Sequence, residues 1–206
     1  QRLKVATQFG SGLSNILYIM DEPSKGLHPK DYGFLIQTIK DLKNQNNTVI
    51  IVEHKEDFIN MADYIVEIGP GAGQYGGRLV RAEVINHSVT PKEEINFLVK
   101  DKAVDDEKLL ILKGASTNNL KNIDVTIPLS KLVCVIGVSG SGKSSLISKT
   151  LYPAVLKEMG KRPEDIGNYD DIIGAENLCD VYYVSQQAIG KTSRSNPGTY
   201  TGAFDL

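Results

Sequence analysis

Leu132-Val133-Cys134-Val135-Ile136 runs directly into Gly137-Val138-Ser139-Gly140-Ser141-Gly142-Lys143-Ser144-Ser145. An unbroken apolar run ahead of a glycine cluster reads as a strand buried on both faces, the pattern of a parallel sheet. Gly137 to Ser144 fits G-x-x-x-x-G-K-[ST], in which glycines let backbone N–H groups wrap a phosphate. Lys143 then places a cation on the β and γ phosphates, and the Ser144 hydroxyl can ligate Mg²⁺. A helix starting at Lys143 and reaching at least Tyr152 adds its partial positive charge. Gly137, Ser139, Gly140, Ser141, Gly142, Lys143, Ser144 and Ser145 are therefore candidate nucleotide-binding residues. The strand before and the helix after separate this motif from a chance Gly/Ser-rich turn.

Upstream, Ile16-Leu17-Tyr18-Ile19-Met20 is a second buried strand, and it ends in Asp21-Glu22-Pro23. An Asp at such a strand end can hold Mg²⁺, and the adjacent Glu can act as general base on an attacking water. Taken alone, a strand-ending Asp-Glu is common and is better explained by a solvated cap. A helix is predicted from about Pro29 to Lys43, with Tyr32, Leu35, Ile36, Ile39 and Leu42 on one face. Thr48–Val52 is a third strand, followed by Glu53-His54. A short helix over roughly Glu56 to Met61 and a strand over Tyr64–Ile68 complete the alternation that marks an α/β layer fold.

Gly69-Pro70-Gly71-Ala72-Gly73 with Gly76-Gly77 reads as a loop, and Thr90-Pro91-Lys92-Glu93 as the capped start of another helix. Lys100 to Lys108 is charged and nearly free of apolar residues, the best domain boundary in the chain. Beyond it, Leu109–Leu112 and Ile123–Ile127 read as a small antiparallel sheet, and Val181–Val184 as a further strand.

The chain has 206 residues, 41% apolar and 23% charged, which excludes disordered and fibrous classes. Its 23 basic and 25 acidic residues leave a net charge of −2, so it is not a strongly basic nucleic-acid protein. The two cysteines, Cys134 and Cys179, form no C-x-x-C pair, which excludes a disulfide scaffold and a Cys-ligated zinc site within these residues. No apolar run approaches the ~18 residues of a membrane span, and no signal peptide opens the chain, so a cytoplasmic protein is expected. The start at Gln1 without Met, and the stop at Leu206 just after Ala203-Phe204, read as an excerpt of a longer protein.

These motifs resemble a known family. His54, placed after a strand that lies downstream of Asp21-Glu22-Pro23, is similar to the γ-phosphate-contacting histidine of ATP-binding-cassette (ABC) ATPases. In one ABC domain the phosphate loop precedes the acidic strand, and here the order is reversed. The back half of one nucleotide-binding domain followed by the front half of a second accounts for it. Gln1-Arg2-Leu3-Lys4 through Gly12-Leu13, Asp21-Glu22-Pro23-Ser24 with Gly26-Leu27-His28, Ile68 to Gly73, Asn119-Leu120-Lys121-Asn122 and the Gly137–Ser144 loop resemble UvrA, the damage-recognition ATPase of bacterial nucleotide excision repair. So do Arg194-Ser195-Asn196-Pro197 and Thr199-Tyr200-Thr201-Gly202. Ser185, Ala188, Lys25, Pro29 and Lys55 depart from the family pattern and fit a diverged paralogue.

The resemblance implies an ABC-type P-loop fold, a mainly parallel sheet with flanking helices plus a small antiparallel subdomain. Residues 1–100 would end a first nucleotide-binding domain, 101–108 would link, and 109–206 would begin a second. It implies ATP and Mg²⁺ as cofactors, with Asp21 as Mg²⁺ ligand and Glu22 and His54 as catalytic residues of the first domain's site. For the second domain's site it implies Lys143 as phosphate contact, Ser144 as Mg²⁺ ligand and Gln186 as the Q-loop glutamine. It implies damaged duplex DNA, a UvrB-type partner and a second copy as partners, and no membrane. The alternatives are an ABC ATPase without repair duty, as in a transporter or drug self-resistance relative, and a non-hydrolysing ATP-gated module. A buried strand at Leu132–Ile136 needs sheet neighbours, so the two halves are expected to dock within one chain or to exchange strands with a second copy.

Overall fold

The computed structural model describes residues 14–85 and 108–184. Among the described residues nine strands occur in chain order: β1 (Ile16–Asp21), β2 (Thr48–Val52), β3 (Tyr64–Gly69), β4 (Arg78–Val84), β5 (Leu109–Ala115), β6 (Ile123–Pro128), β7 (Leu132–Ile136), β8 (Asp171–Ile173) and β9 (Asp180–Val184). Helix α1 (Tyr32–Asn44) lies between β1 and β2, and α2 (Glu56–Ile59) between β2 and β3. After β7 come α3 (Lys143–Leu146), a π-helical turn (Ile147–Leu151) and α4 (Tyr152–Glu158).

The main sheet has the order β4-β3-β7-β2-β1-β9, and β5 sits between β6 and β8 in a second, antiparallel sheet. In the main sheet the contacts β1–β2, β1–β9, β2–β7 and β3–β7 are parallel, and only β3–β4 is antiparallel. The fold is thus mixed α/β, mainly parallel, with a separate antiparallel sheet. β7 lies between strands contributed by the first half of the chain: Cys134 is level with Ile51 on one side and Ile65 on the other. The chain therefore docks its two halves internally.

Alternation along the parallel strands sorts their side chains onto two faces. Ile16, Tyr18 and Met20 of β1, with Val49, Ile51 and Cys134, pack against Leu35, Ile39 and Leu42 of α1 and Phe58 of α2. Leu17 and Ile19, with Ile50, Val66, Val133 and Val135, pack against the α3–α4 helix and the antiparallel sheet. The result is three layers with the parallel sheet in the middle.

Several predicted bounds shift. The first helix opens with a 3₁₀ turn at Pro29–Asp31 before α1 begins. The helix after the phosphate-loop motif is interrupted by its π turn, where the Thr150 hydroxyl donates to the Ser145 carbonyl five residues back, at 2.8 Å. Pro153 has no N–H to offer the Lys149 carbonyl, which instead accepts from the Gly167 N–H at 2.7 Å. Two strands, β4 and β8, are additions to the expected set. β4 is an edge strand of mixed exposure without clean alternation, and its register slips against β3 at Glu67/Ile68. β8 is only three residues long. The Gln1–Leu13 stretch, the Thr90 helix, residues 101–107 of the linker, Gln186 and the Arg194–Gly202 stretch lie outside the described residues.

Candidate functional site

Parallel strands bring their carboxyl ends to one edge of the sheet, and ligands of open α/β sheets bind just beyond that edge. β1, β2 and β7 are neighbours in the sheet, so the segments leaving their carboxyl ends meet there. Asp21-Glu22 ends β1, Glu53-His54 comes after β2, and Gly137–Ser144 comes after β7. They line a cavity of about 400 Å³ that contains Asp21, Glu22, Glu53, His54, Gly137, Val138, Ser139, Gly140, Lys143 and Ser144.

The loop curls because its glycines take left-handed backbone angles. Gly137 has φ +142°, and a Cβ there would lie 2.1 Å from the Ile68 carbonyl oxygen. Gly142 has φ +117° and caps the helix. Lys143 closes the loop from inside: its Nζ donates to the Gly137 carbonyl at 2.7 Å and to the Val138 carbonyl at 2.9 Å. Ser141, Gly142 and Ser145 stand behind the cavity wall. Ser145 is buried, and its Oγ accepts from Asn118 Nδ2 at 3.0 Å. Ser141 is fully buried, and its Oγ has no partner among the described residues.

A second glycine loop, residues 69–77, braces the first. The Gly73 N–H donates to the Gly140 carbonyl at 3.0 Å and the Gly77 N–H to the Ser141 carbonyl at 2.8 Å. Asn119 Nδ2 bridges the two loops, reaching the Gly73 and Gly140 carbonyls at 3.2 Å each.

Opposite the loop sit two carboxylates. Burial pushes the Asp21 carboxyl above its ordinary range, and the Glu22 charge pushes the same way; Tyr183, Lys25 and Lys143 offset part of this. The Tyr183 hydroxyl donates to Asp21 Oδ2 at 3.4 Å. Burial lowers the Lys143 ammonium, while Glu22 and Asp21 hold it up. Glu22 forms an ion pair with Lys25 at 3.1 Å and has φ +43°, a left-handed angle that costs a non-glycine residue about 1–3 kcal/mol. The His54 side chain is 66% exposed at the cavity rim.

The sequence-predicted residues Asp21, Glu22, His54, Gly137, Ser139, Gly140, Lys143 and Ser144 thus share one cavity. Glu53, Tyr183 and Asn119 escape a reading of the sequence alone. Glu53 leaves a signal, a single charged residue closing an apolar strand, whereas Tyr183 and Asn119 reach the site only through tertiary contacts. Chemically, the cavity sets a cation, a hydroxyl and a curled backbone against two carboxylates, a set suited to an anionic, cation-bearing ligand.

No protein-family model matches the chain. It is 46% identical over 215 residues to UvrABC system protein A of Clostridium tetani. It is 44% identical over 216 residues to the protein of that name from Staphylococcus epidermidis, and 44% over 215 residues to that of Neisseria meningitidis serogroup A. Each alignment takes in 99–100% of this chain, and the chain spans 23% of each relative's length. Among solved structures, UvrA2 from Deinococcus radiodurans is 35% identical, with a TM-score of 0.39, over 99% of this chain and 25% of that one.

Proposed function

Because the chain belongs to the UvrA family along its whole length, we propose that it supplies nucleotide-binding elements to a UvrA-like ATPase that recognises damaged DNA. The single observation that carries this reading is the shared cavity, in which Lys143 and Ser144 face Asp21, Glu22 and His54. In this reading residues 137–144 are an ABC-type P-loop. Its backbone and Lys143 hold the phosphates of ATP, and Gln186 belongs to the same domain.

The donor set fits Mg²⁺ bound together with phosphate. Mg²⁺ is commonly held by one or two carboxylates plus substrate phosphates rather than by an all-protein cage. In this chain Asp21 and the Ser144 hydroxyl, which belong to different domains of the longer protein, would hold it together, and it would neutralise charge on the phosphates. Asp21 gains most from such a cation, since burial and Glu22 both oppose its ionised form. Glu22 serves as general base on water and His54 contacts the terminal phosphate.

In the longer protein, residues 1–100 end one nucleotide-binding domain, 101–108 link, and 109–206 begin the next. Homology between the two domains is what lets β7 take a place between β3 and β2 in this chain, as in a circular permutant. Damaged duplex DNA, a UvrB-type partner and a second copy are the partners of that longer protein. Among the described residues no helix is long and apolar enough to cross a membrane.

Nucleotide titration tests the reading. Lys143→Ala removes a charge-assisted contact worth ~1.5–3 kcal/mol, so affinity for Mg²⁺–ATP falls roughly ten- to a hundredfold. Unchanged affinity would remove the loop from the site.

A further inference from the structure

Glu53 carries a carboxyl group that is buried just past the carboxyl end of β2. Its side chain is 0% exposed. Oε1 accepts from the Ser24 N–H at 3.0 Å and from the Ser24 hydroxyl in a very short contact. Oε2 accepts from the His54 N–H at 3.1 Å and lies 3.8 Å from His54 Nδ1. Ser24, two residues beyond Glu22, is 1% exposed. A buried carboxylate is expensive unless its oxygens are filled by donors, and here the donors come from two strand ends that both carry candidate catalytic groups.

Glu22 needs such a fixture. Its backbone is left-handed at φ +43°, a conformation that persists only where the surroundings over-determine it. On one side the Glu22 N–H donates to the Val52 carbonyl at 3.0 Å. On the other, Ser24 is clamped by Glu53. The same clamp fixes the backbone of His54.

We propose that Glu53 is a positioning residue for hydrolysis: its buried carboxylate ties the Glu22–Ser24 turn to His54 and so aims the general base and the phosphate-contacting histidine at one point. The inference rests on the nucleotide-site reading above, and it concerns residues of β1, β2 and their carboxyl ends alone. Glu53 borders the same cavity and acts through Glu22 and His54.

The test compares steady-state ATP turnover and ATP affinity of the full-length protein with those of Glu53→Gln, Ser24→Ala, their double variant and Asp21→Asn. Glu53→Gln keeps size and shape but turns one oxygen into a donor, which must face either the His54 N–H or the Ser24 donors. Turnover should fall by roughly tenfold or more while ATP affinity stays within about threefold, the split expected of a group that aims reacting residues. Ser24→Ala, which removes one donor and leaves the amide, should lose less. The double variant should be no slower than Glu53→Gln alone, because both disable one clamp. Unchanged turnover in Glu53→Gln overturns the inference, and so does a loss of affinity parallel to the loss of turnover, which marks a role in folding only. Unchanged turnover in Asp21→Asn, at the same strand end, would instead remove the nucleotide site on which the inference stands.

Discussion

The Lys143 ammonium donates to the Gly137 carbonyl oxygen at 2.7 Å, so the cation facing Asp21 and Glu22 also fastens the loop that carries it. A second bond to the Val138 carbonyl, at 2.9 Å, fills another of its donors. Burial works against the charge and the two carboxylates support it. A phosphate entering this loop therefore exchanges carbonyl acceptors for phosphate oxygens, without drawing a mobile side chain in from water. The charge is already partly desolvated, and charge-assisted bonds are strongest in that setting.

Asp21 gives a pH-dependent prediction. Burial, and then Glu22, raise its carboxyl, so the folded chain holds that proton more firmly than the unfolded one. The stability this contributes is present below the unfolded value of about 3.9 and is lost as pH rises through the higher folded value. Asp21→Asn removes the loss. The ligand-free variant should melt at a slightly higher temperature than the parent near neutral pH, with the gap closing toward about pH 3–4. The rise in melting temperature that Mg²⁺–ATP gives the parent should shrink in the variant. Thermal unfolding followed by circular dichroism across pH, with and without Mg²⁺–ATP, checks both. A ligand-free variant less stable than the parent near neutral pH would contradict the assignment.

The two cysteines should behave oppositely. Cys134 is buried in β7, and burial and then the Glu53 charge push its thiol up to about 12. Cys179 is exposed. In the native chain a thiol reagent should modify Cys179 quickly and Cys134 only on unfolding, since the thiolate is the reactive form. Because the Cys134 thiol is raised in the folded state, the stability it contributes holds below the ordinary thiol value of about 8.5 and declines as pH climbs toward about 12. Two fast-reacting thiols in the native protein would place β7 outside the sheet.

Gly26 and Gly77 separate backbone strain from close packing. Both have left-handed angles, φ +77° and +78°, but a Cβ on Gly26 meets nothing within 4 Å, whereas one on Gly77 would lie 1.8 Å from the Asn119 carbonyl oxygen. Gly26→Ala should cost only the conformational penalty, about 1–2 kcal/mol. Gly77→Ala must also displace backbone and should cost roughly 3 kcal/mol or more. If residues 137–144 hold the phosphates of ATP as proposed, it should weaken ATP binding too, since the Gly77 N–H holds the Ser141 carbonyl of that loop. Urea unfolding midpoints and nucleotide titration read the difference, and equal costs for the two variants would contradict the brace.

The features legible in the sequence are those that local pattern dictates. Five-residue runs such as Thr48–Val52 and Leu132–Ile136 coincide with β2 and β7, because burial on both faces leaves no other reading. The acidic strand end and the glycine loop are legible for a related reason: each needs particular residue types at fixed spacing. β4 is not, because an edge strand that slips register at Glu67/Ile68 shows no clean alternation. The π turn is hidden because it depends on the Thr150 hydroxyl finding the Ser145 carbonyl. The role of Glu53 is hidden despite its place at the end of an apolar run, because a carboxylate beside a histidine at a strand end looks solvated, and only the fold reveals Ser24 beside it.

If the loop after β7 and the acidic end of β1 form one site in this chain, Mn²⁺ in place of Mg²⁺ reads it out most directly, because a paramagnetic ion broadens the amide signals of every residue around it. Titrating Mn²⁺–ATP into isotope-labelled chain should broaden Asp21, Glu22 and His54 together with Gly140, Lys143 and Ser144, the residues that share the cavity. Lys143→Ala should need far more ligand for the same effect. Broadening confined to the loop, with Asp21 and Glu22 untouched at saturation, would place the acidic strand end outside the site.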